Sequence, residues 1–293
     1  MNAASGPDPA VAPLAAELRS IVDVEPIDLL RAALVIAKLE YPSLDPGTSV
    51  AALRALGARA SARLARLLDA PVRARVAELN RLLFVDESFA GNRSAYDDFR
   101  NSLLNVVLER RLGIPISLGL VYIEVARQAG LEVFGVAFPG HFLLRVPADA
   151  GDEGPIILDP FNAGRELDEA ACRALLASHL GDDEAFDDAL LNPCSGRQFL
   201  VRMLNNLKRT YVQQRSFQQA RRVTELLLAV DPTILSEVRD RGLIAYHLDD
   251  FQSALRDLED YLRLNAWSEG DRDEHEQIRD HVQTLRRRVA GFN

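Results

Sequence analysis

The sequence predicts an α+β protein followed by an α-helical repeat module. Apolar residues recur with a helical period through most of the chain before Gly130. Strand-like runs replace that period just after Gly130. Beyond about Pro193 the helical period returns and the chain becomes self-similar at a shift of 34 residues. The change of period from 3.6 to about 2 and back separates the elements, and helices followed by a run of strands are the pattern of an α+β layer. The predicted organisation is a flexible tail over 1–13, a core with a helical N-terminal layer over 14–192, and a helical module over 193–293.

From Ala15 to Leu79 the pattern is helical, with Leu29, Leu30, Ala33, Leu34 and Ala37 at three- and four-residue steps. Pro42 stops the first of these helices near Glu40-Tyr41. Asp45-Pro46-Gly47 reads as a turn and Ser49 as the N-cap of the next helix. Phe89, Gly91, Asn92, Tyr96 and Phe99, set among small polar residues, read as an ordered loop pinned by aromatics. A helix is expected over Ser102–Leu112, stopped by Gly113, with Pro115 opening the next at a first-turn position. That next helix, Ser117–Ala129, is apolar on nearly every face and is predicted to be buried. Val133–Phe138, His141–Val146 and Ile156–Leu158 read as strands of an antiparallel meander, with Pro139-Gly140 as a turn and an acidic loop over 147–155.

In the C-terminal part the 34-residue shift pairs Phe217 with Phe251, Ala220 with Ala254 and Asp231 with Asn265, while Tyr211 and Tyr246 fall one position out of register. This period, a small residue at a helix crossing and Pro232 at a boundary are marks of tetratricopeptide repeats. The first repeat has Lys208 where glycine is usual, and the second has Gly242 but Ala266 in place of the proline. A capping helix is expected over 271–290. Ala220 and Ala254 are predicted to sit at close crossings. Tyr211, Phe217, Tyr246 and Phe251 are predicted to be core, with Asn205, Lys208, Arg209 and Gln213 forming a partner surface.

The chain has 293 residues, 48% of them hydrophobic, and a formal net charge of -9. That charge argues against a general nucleic-acid binder, which needs a basic footprint, and no apolar run is long enough to span a membrane. The first residues lack the basic-then-apolar order of a signal peptide. Two cysteines, Cys172 and Cys194, form neither a disulfide framework nor a zinc site, so a cytoplasmic location is expected. The five histidines are scattered, and His275 and His281 read as solvated surface. No metal or cofactor is implied. The expected partner is a protein or peptide.

One constellation carries chemistry. Thiol-dependent acyl transfer needs a nucleophile at the N-terminus of a buried helix, a histidine base on a neighbouring strand and a carboxylate that orients it. The buried helix starting near Pro115, then His141, then Asp159, follow one another in that order. The run NSLLNVVLERRLGIPISLGLVYIEVARQAGLEVFGVAFPGHFLLRV resembles the SirB-type proteins of the transglutaminase-like superfamily, as do LEYPSLDP and LLFVDESFAGNRSAY upstream and ILDPFNAGREL downstream. The resemblance runs from about Ile27 to the C-terminus. It implies a papain-like core with C-terminal tetratricopeptide repeats.

By that resemblance His141 and Asp159 match the family's histidine and aspartate, while the cysteine has no counterpart. Its slot falls on Pro115, or with a two-residue shift on Ser117. Asn101, Asn105, Arg110, Arg111, Pro115, Gly140 and Arg145 are the candidate cleft. Each also has a plain structural reading: Asn101 as a helix cap, Arg110 and Arg111 as cations in a last helical turn, and His141 as a partner for Asp159. Three functions follow. The first is a non-catalytic binding and regulatory protein, the second a serine-dependent hydrolase or acyl transferase using Ser117, His141 and Asp159, and the third a structural assembly factor.

Overall fold

The computed structural model describes residues 8–149, 154–181, 185–265 and 272–291. They form two compact bodies, one of Glu25–Met203 and one of Met1–Val24 with Leu204–Asn293. The first helix, α1 (Ala12–Val22), belongs to the second body, where it packs on a repeat helix. The sequence pattern alone places residues 14–24 with the core instead.

In the first body, α2 (Leu29–Ala37) is capped by Asp28, whose carboxylate accepts from the Arg31 N–H at 2.9 Å, and Ala32–Ala37 are all buried. The next helix, α3 (Pro46–Leu64), starts earlier than expected. Asp45 is its N-cap, accepting from the Gly47 N–H at 3.0 Å, and Pro46 takes the first helical position. Ser49 is a buried residue inside α3, not its cap. Then α4 (Val72–Asn80) runs into a π-helical turn over Arg81–Asp86. A two-residue strand, β1 (Ala90–Gly91), pairs in parallel with β2 (Leu112–Gly113). Between them lie a 3-10 turn, Phe99–Ser102, and α5 (Leu104–Arg110). Arg111, left-handed at φ 60, ends α5, so the expected stop at Gly113 moves two residues back and Gly113 becomes strand.

The central helix α6 (Pro115–Gln128) is buried along nearly its whole length and packs against α2, α3, α5 and the sheet. That sheet is an antiparallel meander of β3 (Phe134–Val136), β4 (Leu143–Val146), β5 (Ile156–Asp159) and β6 (Arg165–Leu167). Helix α7 (Glu169–Leu180) covers one face, where Cys172 and Leu176 meet Val136, Leu143, Ile157 and Leu167. Neither β6 nor α7 is evident in the sequence pattern. Of the expected acidic loop, residues 150–153 lie outside the described residues.

In the second body, α8 (Gly196–Gln213, of which the part from Leu204 belongs to this body) and α9 (Phe217–Val230) form one helical hairpin. Helices α10 (Leu235–His247) and α11 (Phe251–Leu264) form another, followed by α12 (Arg272–Gly291). The repeat is visible in the backbone. Arg215 and Asp249, 34 residues apart, are both left-handed at φ 56. The bonds Ser216 N–H to Tyr211 C=O and Asp250 N–H to Ala245 C=O close equivalent turns. Tyr211 is thus equivalent to Ala245, not to Tyr246.

Ala220 and Ala254 are fully buried. Tyr211 is buried, whereas Phe217, Tyr246 and Phe251 are half-buried, with Phe217 stacked 4.5 Å from the exposed His247 ring. Lys208 is not on the surface. Its Nζ donates to Glu237 (2.6 Å) and Asp240 (2.7 Å), joining α8 to α10. His275 is likewise buried, 2.9 Å from Asn265 and tilted against Tyr261. The expected tail lies outside the described residues as far as residue 7, and Ala266 lies outside them too. Val11 is buried and Asp8 is bonded to Arg222. No described helix is long and apolar enough to cross a membrane.

Ala220→Leu or Ala254→Leu should overpack a fully occupied crossing and lower stability by about 1–3 kcal/mol, read as a fall in Tm by calorimetry. An unchanged Tm would show that the helices do not approach closely there.

Candidate functional site

The site is built on the turn before β4 and on the end of β5. Pro139-Gly140 turns the chain, with Gly140 at φ +69, and the His141 N–H donates to the Phe138 carbonyl at 3.1 Å. Glycine is required at 140 for a second reason, since a Cβ there would run into the His179 ring. The Arg202 guanidinium donates to the carbonyls of Phe138 (3.3 Å) and His141 (3.2 Å), fixing the turn from α8. His141 lies two residues before β4 rather than opening it.

His141 Nε2 lies 3.0 Å from Asp159 Oδ1, and both side chains are nearly buried, at 11% and 4% exposed. Asp159 also caps the 3-10 turn Pro160–Asn162. Its Oδ1 accepts from the N–H groups of Phe161 (2.9 Å) and Asn162 (3.2 Å), and its Oδ2 from the Asn162 side-chain amide (2.6 Å). Burial pushes the Asp159 carboxyl up, but the bonds from His141 and Asn162 outweigh it and hold the group below its ordinary value. A carboxylate at that position favours the tautomer in which Nε2 carries the hydrogen. Nδ1 has no hydrogen bond among the described residues.

Three aromatic groups wall the pair. Phe161 meets His141 edge-on at 6.4 Å and Tyr96 at 5.6 Å, and the Arg93 guanidinium sits 5.2 Å over the Phe161 ring. Gly91 allows this, because a Cβ there would strike Phe161. On the other side His179 of α7 stacks on His141 at 6.1 Å. Burial, then the neighbouring His141 and Arg202, lower the His179 pKa and favour its neutral ring. Arg93, Phe161 and Asn162 lie in segments that carry the family resemblance, though that resemblance assigns them no role, and His179 and Arg202 carry no sequence signal of a site. Tyr96 is visible in the sequence only as part of the aromatic loop, and His179 only as a scattered histidine.

Both candidate nucleophile positions are buried. Ser117 occupies the third position of α6 and is fully buried. Its hydroxyl donates to the Asn101 carbonyl at 2.6 Å and accepts from the Ile114 N–H at 3.1 Å. No hydrogen bond joins Ser117 to His141 among the described residues. Pro115, the other slot, is the buried first residue of α6 and offers no side-chain heteroatom. Neither cysteine substitutes. Burial, together with Asp168 and Glu169, pushes the Cys172 thiol up to about 11, and burial pushes Cys194 up to about 11. Such thiols carry almost no thiolate near neutral pH.

The remaining residues expected to form a cleft serve the fold around α6. Asn101 is fully buried. Its amide donates to the carbonyls of Ala95 (2.7 Å) and Tyr96 (3.1 Å), and its Oδ1 accepts from Asn92 (2.9 Å). It therefore pins the aromatic loop and caps no helix. Asn105 Oδ1 is buried with no hydrogen-bond partner among the described residues. Arg110 pairs with Asp98 at 3.2 Å, whereas Arg111 pairs with Glu87 at 3.4 Å and lies over Phe89. Arg145 donates to the Leu191 carbonyl at 3.0 Å. On the repeats Asn205 is half-buried and Arg209 and Gln213 are exposed. No three His, Cys, Asp or Glu side chains among the described residues are placed to hold a metal ion.

Residues 48–205 match the family model described as transglutaminase-like superfamily, and residues 207–288 match one described as tetratricopeptide repeat. The fold, with its histidine–aspartate pair beyond a buried helix, is thus that of a transglutaminase-like domain followed by helical repeats. A UPF0162 protein of Xylella fastidiosa is 40% identical over 246 residues, spanning 83% of this chain and 86% of the relative. One from Vibrio cholerae is 30% identical over 242 residues, 82% and 87% of the two chains. Human F-box only protein 21 is 34% identical over 181 residues, but these span 58% of this chain and 27% of that protein. The chain belongs to the UPF0162 family.

Asp159→Asn retains an oxygen for the two backbone donors but removes the charge. Because the folded carboxyl lies below its unfolded value of about 3.9, its stabilisation is full above that value and is lost as pH falls through the folded one. Wild type should therefore exceed Asp159→Asn in denaturant midpoint at pH 7, with the gap closing below pH ~4. A gap independent of pH would contradict an ionised Asp159 carboxylate in the folded protein.

Proposed function

We propose that this chain is a non-catalytic, SirB-type protein of the cytoplasm that binds and regulates a protein partner through its degenerate cleft and its helical repeats. The observation that carries the reading is the separation of Ser117 from His141. The serine hydroxyl spends its one hydrogen on the Asn101 carbonyl inside the fold, while His141 and Asp159 keep their pairing with Nδ1 open. A nucleophile must share a hydrogen bond with its base and face a site for the substrate carbonyl. Ser117 meets neither requirement, and the serine-hydrolase alternative loses its support with it. The retained pair instead offers a polar imidazole edge beside an aromatic wall of Phe161 and Tyr96, suited to a peptide group and an apolar side chain.

The second contact surface is the open face of α8. Asn205, Arg209 and Gln213 recur at four-residue steps, and Val212, 41% exposed, adds an apolar contact beyond those expected from the sequence. Lys208 leaves this surface because its ammonium is held by Glu237 and Asp240.

A fluorophosphonate probe, which labels activated serines, should label wild type no more than Ser117→Ala. Affinity capture from the native cell should recover a partner with wild type and lose it with the Arg209→Glu, Gln213→Glu double variant. Stoichiometric labelling at Ser117, or undiminished capture by the folded double variant, would overturn the reading.

A further inference from the structure

The repeat places Phe217 and Phe251 at the same position, the first residue of α9 and of α11. Each ring is covered by a nitrogen-bearing side chain from the helix that follows. The His247 ring of α10 lies parallel to Phe217, at 4.5 Å and 5°. The Arg288 guanidinium of α12 lies 5.1 Å from the centre of the Phe251 ring and 5.7 Å from that of Tyr246. Tyr246 links the two places. It meets His247 edge-on at 6.1 Å, Phe251 at 5.9 Å and His281 at 5.7 Å. Phe217, Tyr246 and Phe251 are half-buried, whereas His247, His281 and Arg288 are exposed. Tyr246 and Phe251 also rest on the core that α10, α11 and α12 share. These contacts form a ridge of rings held in place from below.

The nitrogen groups on this ridge are oriented but unspent. Among the described residues neither Arg288 nor His247 makes a hydrogen bond or an ion pair. By contrast Arg221, Arg239, Arg241 and Arg286 of the same body each pair with a carboxylate. A guanidinium stacked on rings has its planar fork pre-oriented, so it loses less freedom when a carboxylate binds. The two aspartates before Phe251 do not occupy that fork. Asp250 accepts from Arg221 at 2.9 Å and from the Ser253 N–H at 3.2 Å, and Asp249 forms no ion pair among the described residues. Tyrosine and arginine on a rigid, partly apolar surface are the residue types that carry most of the binding energy at protein interfaces.

We propose that this ridge is a docking surface for an acidic segment of a partner protein. One carboxylate of that segment takes the Arg288 fork and a second lies against His247. The apolar side chains between them rest on Tyr246 and Phe251. Charge complementarity selects this occupant, since the ridge offers unspent nitrogen groups beside apolar rings. The inference rests on the protein-binding reading of the repeats, and it names a further surface and the chemistry of its partner.

Two peptides test it against the full chain by NMR, acetyl-Leu-Asp-Leu-Glu-Leu-amide and its neutral counterpart acetyl-Leu-Asn-Leu-Gln-Leu-amide. The acidic peptide should move the Arg288 Nε resonance saturably and should bind about fivefold more tightly than the neutral one. Arg288→Lys keeps the charge but loses the fork. Followed by the Tyr246 and Phe251 ring resonances, it should bind the acidic peptide about tenfold more weakly at unchanged Tm. His247→Gln should also weaken binding, whereas Arg287→Lys, at the exposed neighbouring position, should bind as wild type does. These measurements use neither the α8 face nor a cellular partner, so they fail separately from the capture experiment on Arg209 and Gln213. No saturable movement at Arg288, equal affinity for the two peptides, or undiminished binding by Arg288→Lys would overturn the proposal. So would a heparin fragment of matched charge that competes as well as the acidic peptide, because the ridge would then be a general anion surface.

Discussion

The first body depends on one constraint, that α6 is apolar on nearly every face and has to be covered everywhere, including its N-terminal end. Helices α2, α3 and α5 cover it from one side and the meander from the other. The N-terminus is harder to bury, because its first N–H groups have no partners within the helix. Ser117 and Asn101 meet this demand together. Ser117 takes the Ile114 N–H and gives its own hydrogen to the Asn101 carbonyl, while the Asn101 side chain ties down the aromatic loop. Closing the helix end in this way leaves the hydroxyl fully buried and hydrogen-bonded within the fold. In a thiol enzyme of this layout the same helix end would hold the nucleophile in reach of solvent and substrate.

Beside this closed helix end the histidine–aspartate pair persists, for reasons that are partly structural. Asp159 accepts from two backbone N–H groups and the Asn162 amide as well as from His141, so it organises the turn that places Phe161. Phe161 in turn packs on Gly91, Tyr96 and His141. The placement of Phe161 and the pairing of His141 are therefore one assembly. His141 retains one ring nitrogen with no hydrogen bond among the described residues.

Much of this is legible in the sequence where local rules act alone. The all-round apolar pattern of 117–129 marks α6, Pro115 and Gly130 mark its ends, and a 34-residue shift marks the helical hairpins. Sequence and structure part where tertiary contacts decide. Ser49 looks like a cap, but Asp45-Pro46 satisfies the helix start first. Lys208 looks like surface until Glu237 and Asp240 arrive from a helix about 30 residues away. His179 is illegible because it reaches His141 only through α7, an element whose sequence has weak amphipathic contrast. The order of helix, His141 and Asp159 is readable, whereas the commitment of Ser117 to Asn101 requires coordinates, since sixteen residues separate the two.

The central claim is that Ser117 belongs to the fold and His141 to the cleft, with no coupling between them. Selective ¹⁵N labelling of histidine tests it directly, because the shifts of the two ring nitrogens report which one carries hydrogen and what each is bonded to. The His141 Nδ1 resonance should stay where it is in folded Ser117→Ala. A displaced Nδ1 resonance in that variant would mean that the serine hydroxyl reaches the imidazole, and would contradict the separation of the two residues.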